Sequence, residues 1–434
     1  MEPVLVGLLG ILALLLLFAL DMPVSFAMAF VGFIGFGYLV SWDAARALLV
    51  RDVFEQLSTY PLNVIVLFVL MGSFAFAGGM SGRLYDSAHT IAGKMPAGLA
   101  VSTILACSGF AAICGSTAAT AATIGRVALP EMQRFGYSRR LATGCIASAG
   151  SIGILIPPST IFIVYGILTE QSIGSLFAAG IMPGILLTIF FILTVFIVAF
   201  RHKDIAPAGK ASSWTAKLKA LWRISDIFFL FAVSIGGMFL GWYSPNQAAG
   251  VGAAGALLLG LIHRELTFGK FFNAAREGLR TSCMIMMLIA GASVFGKFMA
   301  ITSIPANIST WVSGLPLPPT GIMVLICLLY FISGCFLDAM ALIMLTIPII
   351  YPVVLNLNFD PIWFGVVIVV ISQIAVLTPP VGVNVYVVKG IAPDVPIATI
   401  FRGTFPFLIA MAILLAGILL FPDLVLWLPR LLES

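Results

Sequence analysis

The sequence predicts an all-α polytopic membrane protein that contains two repeats of inverted topology. Three observations lead to this fold class. Of the 434 residues 61% are hydrophobic, only 9% are charged, and prolines recur at one constant spacing. A soluble chain of this length needs many more charged side chains to cover its surface. The apolar stretches are therefore predicted to lie in a membrane.

The topology follows from the apolar runs and the charges between them. The first run lacks a basic segment before it and a small-residue cleavage site after it, which predicts a retained span and not a signal peptide. The basic segments 201–223 and 263–280 belong in the cytoplasm, which places both chain termini in the periplasm. The predicted spans or span-like runs are 4–20, 24–41, 60–79, 98–130, 140–169, 174–200, 224–241, 247–263, 282–301, 320–352, 361–389 and 398–421.

An internal repeat organises these runs. A shift of 222 residues aligns prolines in the two halves, and it also aligns Ser138 with Asp360, both predicted to cap helices. The first repeat is predicted at 1–200, a cytoplasmic basic linker at 201–223 and the second repeat at 224–434. Five spans or broken spans plus one hairpin in each repeat make the second repeat antiparallel to the first. The aligned prolines are Pro23 and Pro245, Pro96 and Pro318, Pro130 and Pro352, and Pro157-Pro158 and Pro379-Pro380.

Two further segments match at this spacing. Residues 42–57 and 264–279 are too charged to span and have apolar residues at helical spacing. Both are predicted to lie along the membrane interface.

Two apolar runs, 98–130 and 320–352, have the wrong length for simple spans. Each has 33 residues, about 50 Å as a straight helix against about 30 Å of hydrocarbon. Each is predicted to form a re-entrant helical hairpin, with tips near 115–120 and 333–340. Asp338 is a carboxylate deep inside an apolar run, and burial of such a group costs about 3 kcal/mol, so we expect it to face a partner or a cavity.

A broken helix follows each hairpin, at 138–169 and 361–389. The diproline in each removes two backbone donors and frees upstream carbonyl groups. Freed carbonyls and nearby hydroxyls form an oxygen site suited to Na⁺, and helix N-termini attract carboxylates. Each motif taken alone also fits a second interpretation, in which its small residues let neighbouring helices pack closely. The cysteines have no metal-ligand spacing and are predicted to lie in the core, so Na⁺ is the only metal expected, with no transition metal. Lys297 is predicted to extend its amine toward the membrane surface.

Three stretches carry a resemblance to a known family: "GSTAATAATIGRVALPEMQRFGYSRRLATGCIASAGSIGILIPPS" (115–159), "FLDAMALIMLTIPIIYPV" (336–353) and "SQIAVLTPPVGVNVYV" (372–387). With them the chain resembles the large membrane subunit of tripartite ATP-independent periplasmic (TRAP) transporters. The resemblance implies an elevator-type, Na⁺-coupled carrier in the bacterial inner membrane, with no other cofactor. It also implies a small four-helix membrane subunit and a periplasmic binding protein that delivers an organic anion, such as a C4-dicarboxylate, sialic acid or a related sugar acid. Membrane lipid is expected around the chain and nucleic acid is not a partner.

The family's Na⁺ sites lie at the hairpin tips and the facing helix breaks, and the resemblance therefore implies ligands at both tips of this chain. The hinges are expected at the ends of 81–97 and 302–319. The implied ion-binding residues are Gly115, Ser116, Thr120, Ser151, Gly153, Gly334, Asp338, Thr378, Pro379 and Gly382. The implied substrate-binding residues are Ser116, Thr117, Pro157, Ser159, Asp338 and Asn384.

Three alternatives remain open from the sequence. A standalone Na⁺- or H⁺-coupled carboxylate carrier would need no binding protein. A channel would use the hairpins as pore loops. A membrane-embedded enzyme is disfavoured, because the sequence has no HExxH motif, no Ser/His/Asp set and no paired carboxylates.

Overall fold

The computed structural model describes residues 2–93, 95–201, 205–207 and 212–433. Over these ranges the chain is helical and contains no β-strand. The helices of the first half are α1 (Pro3–Ala19), α2 (Val24–Leu39), α3 (Trp42–Ser58), α4 (Asn63–Ala77), α5 (Met80–Ala92), α6 (Gly98–Cys114), α7 (Thr117–Arg134), α8 (Arg139–Ser151), α9 (Thr160–Thr169) and α10 (Ile173–Arg201).

The second half begins after the basic linker helix α11 (Trp214–Arg223). A π-helical segment at Ala232–Gly236 separates its first two helices. The helices are α12 (Ser225–Phe231), α13 (Gly237–Phe239), α14 (Pro245–Ile262), α15 (Phe268–Ile301), α16 (Ile304–Ser313), α17 (Pro319–Gly334), α18 (Ala339–Asn356), α19 (Pro361–Ala375), α20 (Val383–Ile391), α21 (Ile397–Leu420) and α22 (Asp423–Glu433).

The order of helices is the same in the two halves. Helices α17–α21 begin 221 to 224 residues after α6–α10, each in its turn. The packing is also reciprocal: α2 contacts α15 while its counterpart α14 contacts α4, and α7 contacts α20 while α18 contacts α9. In the same way α8 contacts α21 and α19 contacts α10.

Several helices have the dimensions of membrane spans. Among the helices of the described ranges, six are long and apolar enough to cross a membrane by length and composition: Tyr60–Ala77 (with the short 3₁₀ turn before α4), Ile173–Arg201, Pro245–Ile262, Phe268–Ile301, Ala339–Asn356 and Ile397–Leu420. The shorter apolar helices include α1, α2, α6, α9, α17 and α19. The most enclosed elements are α8 from Leu141 onward and α19 from Trp363 onward, where every side chain is buried. The core therefore lies around the first halves of the two broken helices.

The two amphipathic segments fold differently, so the expectation of two matching interfacial helices is wrong in its second half. Helix α3 is a separate element that ends at Ser58, before Pro61. Residues 268–279 are instead the first turns of α15, which continues without a break to Ile301. The reason is local, since Pro61 interrupts the first segment and residues 268–301 contain no proline.

Two smaller predictions are also corrected. Lys297 does not merely extend toward the membrane surface, because its amine forms an ion pair with Asp52 of α3, whose side chain is 1% exposed. The Ser293 hydroxyl donates to the same carboxylate at 3.3 Å. The cysteines are not all in the core: Cys283 is exposed and Cys114 is partly buried, while the other four are buried.

Candidate functional site

The tip of the first hairpin is a sharp turn between α6 and α7. Gly115 follows the last residue of α6 with φ +64°, a left-handed conformation that glycine adopts without strain. The Ser116 hydroxyl caps α7 by accepting the Ala119 N–H at 3.4 Å. Helix α7 then runs past Pro130 to Arg134, four residues beyond the predicted hairpin boundary.

The first helix break lies directly against this tip. Helix α8 passes into a 3₁₀ turn at Ile152–Ile154, and α9 begins at Thr160, after the two prolines. The Thr160 hydroxyl donates to the Gly115 carbonyl at 3.0 Å. A Cβ on Gly153 would lie 2.6 Å from the Ser116 carbonyl oxygen and 2.8 Å from the Thr120 hydroxyl. The tip and the break are thus in contact, with no room for a side chain between them.

The second tip has a carboxylate where the first has a hydroxyl. Helix α17 ends at Gly334, and Asp338 caps α18 by accepting the Met340 N–H at 3.0 Å. The Asp338 side chain is accessible to solvent, and no ion pair joins it to a charged side chain among the described residues. It serves as an N-cap because the first backbone donors of α18 need an acceptor there.

The second helix break contacts its own tip through a backbone hydrogen bond, and a Cβ on Gly334 would lie 2.7 Å from the Ala375 Cβ. The Val381 N–H donates to the Cys335 carbonyl at 3.4 Å, and the Thr378 hydroxyl donates to the Ile374 carbonyl at 2.8 Å. Gly382 has φ +61°, the conformation that starts α20 after the diproline. Pro379 beside it is exposed.

The two broken helices meet at the centre of the molecule. The Gln373 amide nitrogen donates to the Ser151 carbonyl at 3.0 Å. Ser151 and Gln373 are separated by 222 residues, so they occupy equivalent places in the two halves. The Asn384 amide nitrogen of α20 donates to the Ala147 carbonyl of α8 at 3.3 Å. All of these side chains are fully buried.

Around this crossing several buried oxygen atoms have no hydrogen-bond partner in the described part of the chain. Because both amide nitrogens face carbonyl groups, the two amide oxygens must point elsewhere. An unpaired buried polar atom costs about 1–3 kcal/mol, so a set of them indicates a place for a ligand or water. Uncharged hydroxyl and amide oxygens are ligands that hard cations accept. The unpaired oxygens are Ser148 Oγ, Ser372 Oγ, Gln373 Oε1 and Asn384 Oδ1.

The structure places the predicted residues at the two tips, at the two breaks and at the crossing between the broken helices. Gly115, Ser116, Thr120 and Gly153 form the first cluster, with Pro158 behind Gly115. Thr117 starts α7, and the buried Ser159 caps α9 through the Phe162 N–H at 3.4 Å. Pro157 is buried in the same break. Gly334, Thr378, Pro379, Gly382 and Asp338 belong to the second tip and break, while Ser151 and Asn384 lie at the crossing.

Four functional candidates were missed by sequence reasoning: Ser148, Thr160, Ser372 and Gln373. The signal for the last two was available, because Ser-Gln interrupts the otherwise apolar run "VVIVVISQIAVL". Ser148 and Thr160 give no such signal, since isolated hydroxyls are common in membrane helices.

The fold has a counterpart among solved membrane proteins. The YdaH transporter of Alcanivorax borkumensis has a related fold, with a TM-score of 0.65 over 88% of this chain and 89% of that chain at 15% sequence identity. Identity this low supports the likeness of fold alone.

Sequence comparison then gives the family. The family described as "Tripartite ATP-independent periplasmic transporter, DctM component" matches residues 11–424. The C4-dicarboxylate TRAP transporter large permease protein DctM of Pseudomonas aeruginosa is 34% identical over 396 residues, which are 90% of this chain and 91% of that protein. The sialic acid TRAP transporter large permease protein SiaM of Vibrio cholerae is 31% identical over 96% of both chains. This chain belongs to the DctM family of large membrane components of TRAP transporters, and it is a multi-pass protein of the bacterial inner membrane.

Proposed function

We propose that this chain carries out Na⁺-coupled secondary active uptake of an organic anion by elevator-type alternating access. The observation that carries the proposal is the pair of tip-and-break clusters joined by uncharged, unpaired oxygens at the crossing. That arrangement offers Na⁺ a set of neutral oxygen ligands and offers an anion the N-termini of α7 and α18.

The inverted relation of the two halves is part of the proposal. Reciprocal packing of equivalent helices is what a two-fold axis between the halves requires. The contact between the equivalent Ser151 and Gln373 supports an axis that passes near the crossing. With an odd number of crossings in each half this axis lies in the membrane plane, and the basic linker and both termini then lie on opposite sides of the membrane.

The substrate and the partners follow from the relatives. One relative is named for C4-dicarboxylates and another for sialic acid, and both substrates are carboxylates. We therefore propose a carboxylate substrate for this chain. A tripartite periplasmic transporter has further components, and we propose that a periplasmic binding protein delivers the anion and that a small four-helix membrane subunit completes the carrier.

The test uses paired substitutions in the reconstituted full chain with its two partners. Ser116→Ala and Asp338→Asn are each expected to abolish Na⁺-driven uptake of labelled succinate or sialic acid, because each removes an oxygen or a charge at a tip. The controls are Ser138→Ala and Asp360→Asn, which alter the same residue types at the caps of α8 and α19. Loss of a cap alone costs about 1 kcal/mol, so the controls keep transport.

Three results would contradict the proposal. If uptake by both tip variants keeps its Na⁺ dependence, Na⁺ does not bind at the proposed sites. Full uptake by this chain in liposomes without a binding protein would indicate a standalone carrier. Sustained conductance in place of saturable uptake would indicate a channel.

A further inference from the structure

A cavity with four charged side chains in its wall lies where the linker joins the second half. It has a volume of about 450 Å³ and is open to the outside. The end of α11, the start of α12, the turn after α14 and one residue of α5 supply its walls. The lining residues are Arg83, Trp222, Arg223, Ser225, Asp226, His263 and Glu265.

The feature that points to a ligand is the guanidinium group of Arg83. Its side chain is only 5% exposed, and Nη1 donates to Asp226 Oδ2 at 2.7 Å and lies 2.8 Å from His263 Nε2. The other two nitrogens, Nε and Nη2, are buried and have no hydrogen-bond partner among the residues that the structure describes. Together Nε and Nη2 form the side edge of the guanidinium, which matches two oxygens of one carboxylate or phosphate group.

The linker helix α11 indicates where the ligand comes from. Trp214, Leu218, Leu221 and Trp222 are exposed and share one face at helical spacing. Ala220 is buried on the opposite side, where α11 contacts α5. Lys217, Lys219 and Arg223 are the charged residues of the helix, and none of its residues is acidic. An exposed apolar face bordered by basic residues is typical of a helix that lies on an anionic membrane surface.

We propose that this cavity binds the phosphate of an anionic phospholipid headgroup from the leaflet on which α11 lies. The unpaired edge of Arg83 would bind two phosphate oxygens, and the Arg223 guanidinium lies at the same cavity. The Ser225 hydroxyl already donates to the Trp222 carbonyl at 2.8 Å, so it supplies no proton to the phosphate. The acyl chains would pass along the apolar face of α11. The Arg83 site joins α5, which leads into the first hairpin, to α12 and α14, so the lipid would bridge these two parts of the chain.

The opposing charges at the cavity are compatible with this ligand. Asp226 is already paired with Arg83 and lies 2.7 Å from His263 Nε2. Arg223 has a distant partner in Asp86, at 3.9 Å. Glu265 adds one more carboxylate to the wall, so the lining has little net charge. Binding therefore depends on the two N–H donors at Nε and Nη2 of Arg83 and on the basic residues of α11. The Arg83→Lys substitution tests the contribution of the two donors.

The experiment measures phosphatidylglycerol binding to the detergent-purified full-length chain by native mass spectrometry. Arg83→Lys keeps a cation for Asp226 but removes the pair of N–H donors on the guanidinium edge. We expect it to lower the affinity for the first bound phosphatidylglycerol molecule by about tenfold. Arg223→Gln is expected to weaken it less, and it tests the same cavity if Arg83→Lys fails to fold. The matched control is Arg134→Lys, whose exposed side chain lies 3.8 Å from Glu131 and outside the cavity.

Three outcomes decide the proposal. Selective weakening in Arg83→Lys and Arg223→Gln, with Arg134→Lys at the wild-type value and no displacement by millimolar inorganic phosphate, supports it. Wild-type affinity in both cavity variants overturns it. Displacement of the lipid by inorganic phosphate, with the same dependence on Arg83, overturns the lipid as the source and assigns the cavity to a soluble phosphate. None of these results depends on transport, so they are separate from the test of the proposed function.

Discussion

The two hairpin tips occupy equivalent places in the chain but differ in enclosure and chemistry. The first tip is held by a hydrogen bond from Thr160 and by close contact with Gly153, and Thr120 within it is fully buried. The second tip contains a carboxylate, Asp338, and is exposed both there and at Pro379. The two halves therefore have the same order of helices, but their hairpin tips differ in burial and in charge.

This difference has a direct meaning for the proposed transport cycle. Alternating access requires that the site be reached from one side at a time. In this structure Asp338 and Pro379 at the second tip and break are exposed, whereas Thr120 and Gly153 at the first are buried. In the proposed cycle the first tip has to separate from its break, so the contacts at Gly153 and Thr160 are the ones to disturb.

The largest effect is expected for Gly153→Ala at the closed tip. The added methyl group would meet a backbone carbonyl, which cannot rotate away, at 2.6 Å. Overpacking of this kind costs about 1–3 kcal/mol, which corresponds to roughly 5–150-fold in ion affinity if the whole cost falls on the ion-bound state. The measurement is the Na⁺ dependence of uptake, together with the melting temperature of the purified variant.

Gly390→Ala is the matched control for this change. Gly390 lies in α20 of the second broken helix, and no atom lies within 4 Å of a Cβ placed there. It should transport normally. Equal Na⁺ affinity in the two variants would show that the first tip does not close on its break.

The helix breaks were predictable from the sequence because their causes are local. Gly115, the diprolines and the capping residues Ser138 and Asp360 determine backbone geometry within a few positions, and the structure has each break and each cap there. The contacts between distant parts were not predictable. Asp52 pairs with Lys297, 245 residues later, and Gln373 pairs with Ser151 across the two halves. Such pairs depend on how helices pack, which a single sequence does not show. Pro61 in the sequence indicates the end of α3. Residues 268–301 contain no proline, which indicates one continuous helix there.

An intermediate effect is expected when a cysteine probes the two breaks. Val381 is 36% exposed, and the residue at the equivalent place in the first half, Ser159, is fully buried. In the reconstituted chain Val381→Cys should react with a water-soluble maleimide about tenfold faster than Ser159→Cys, because reaction of the buried thiol requires local opening.

Peptide-resolved mass spectrometry separates the added thiol from the six native cysteines, of which Cys283 is an exposed internal reference. Equal rates at the two positions would remove the difference in enclosure between the breaks. A slow rate at both positions would show that lipid or a partner covers the second break.

The smallest effect is expected for Thr160→Val, which keeps the shape of the side chain and removes one hydroxyl. The Gly115 carbonyl then loses its 3.0 Å hydrogen bond to the break, at a cost of about 1 kcal/mol. We expect the Na⁺ concentration for half-maximal uptake to rise about fivefold with little change in the maximal rate, since the tip is less ordered but its other ligands remain. Thr143→Val is the control, because the buried Thr143 hydroxyl donates to the Arg139 carbonyl within α8.

The second half has no counterpart to Thr160, because Gly382 occupies the equivalent position and has no side chain to contact the second tip. If Thr160→Val and Thr143→Val have the same Na⁺ dependence, the hydroxyl does not hold the first tip, and the difference in enclosure rests on the Gly153 contact alone.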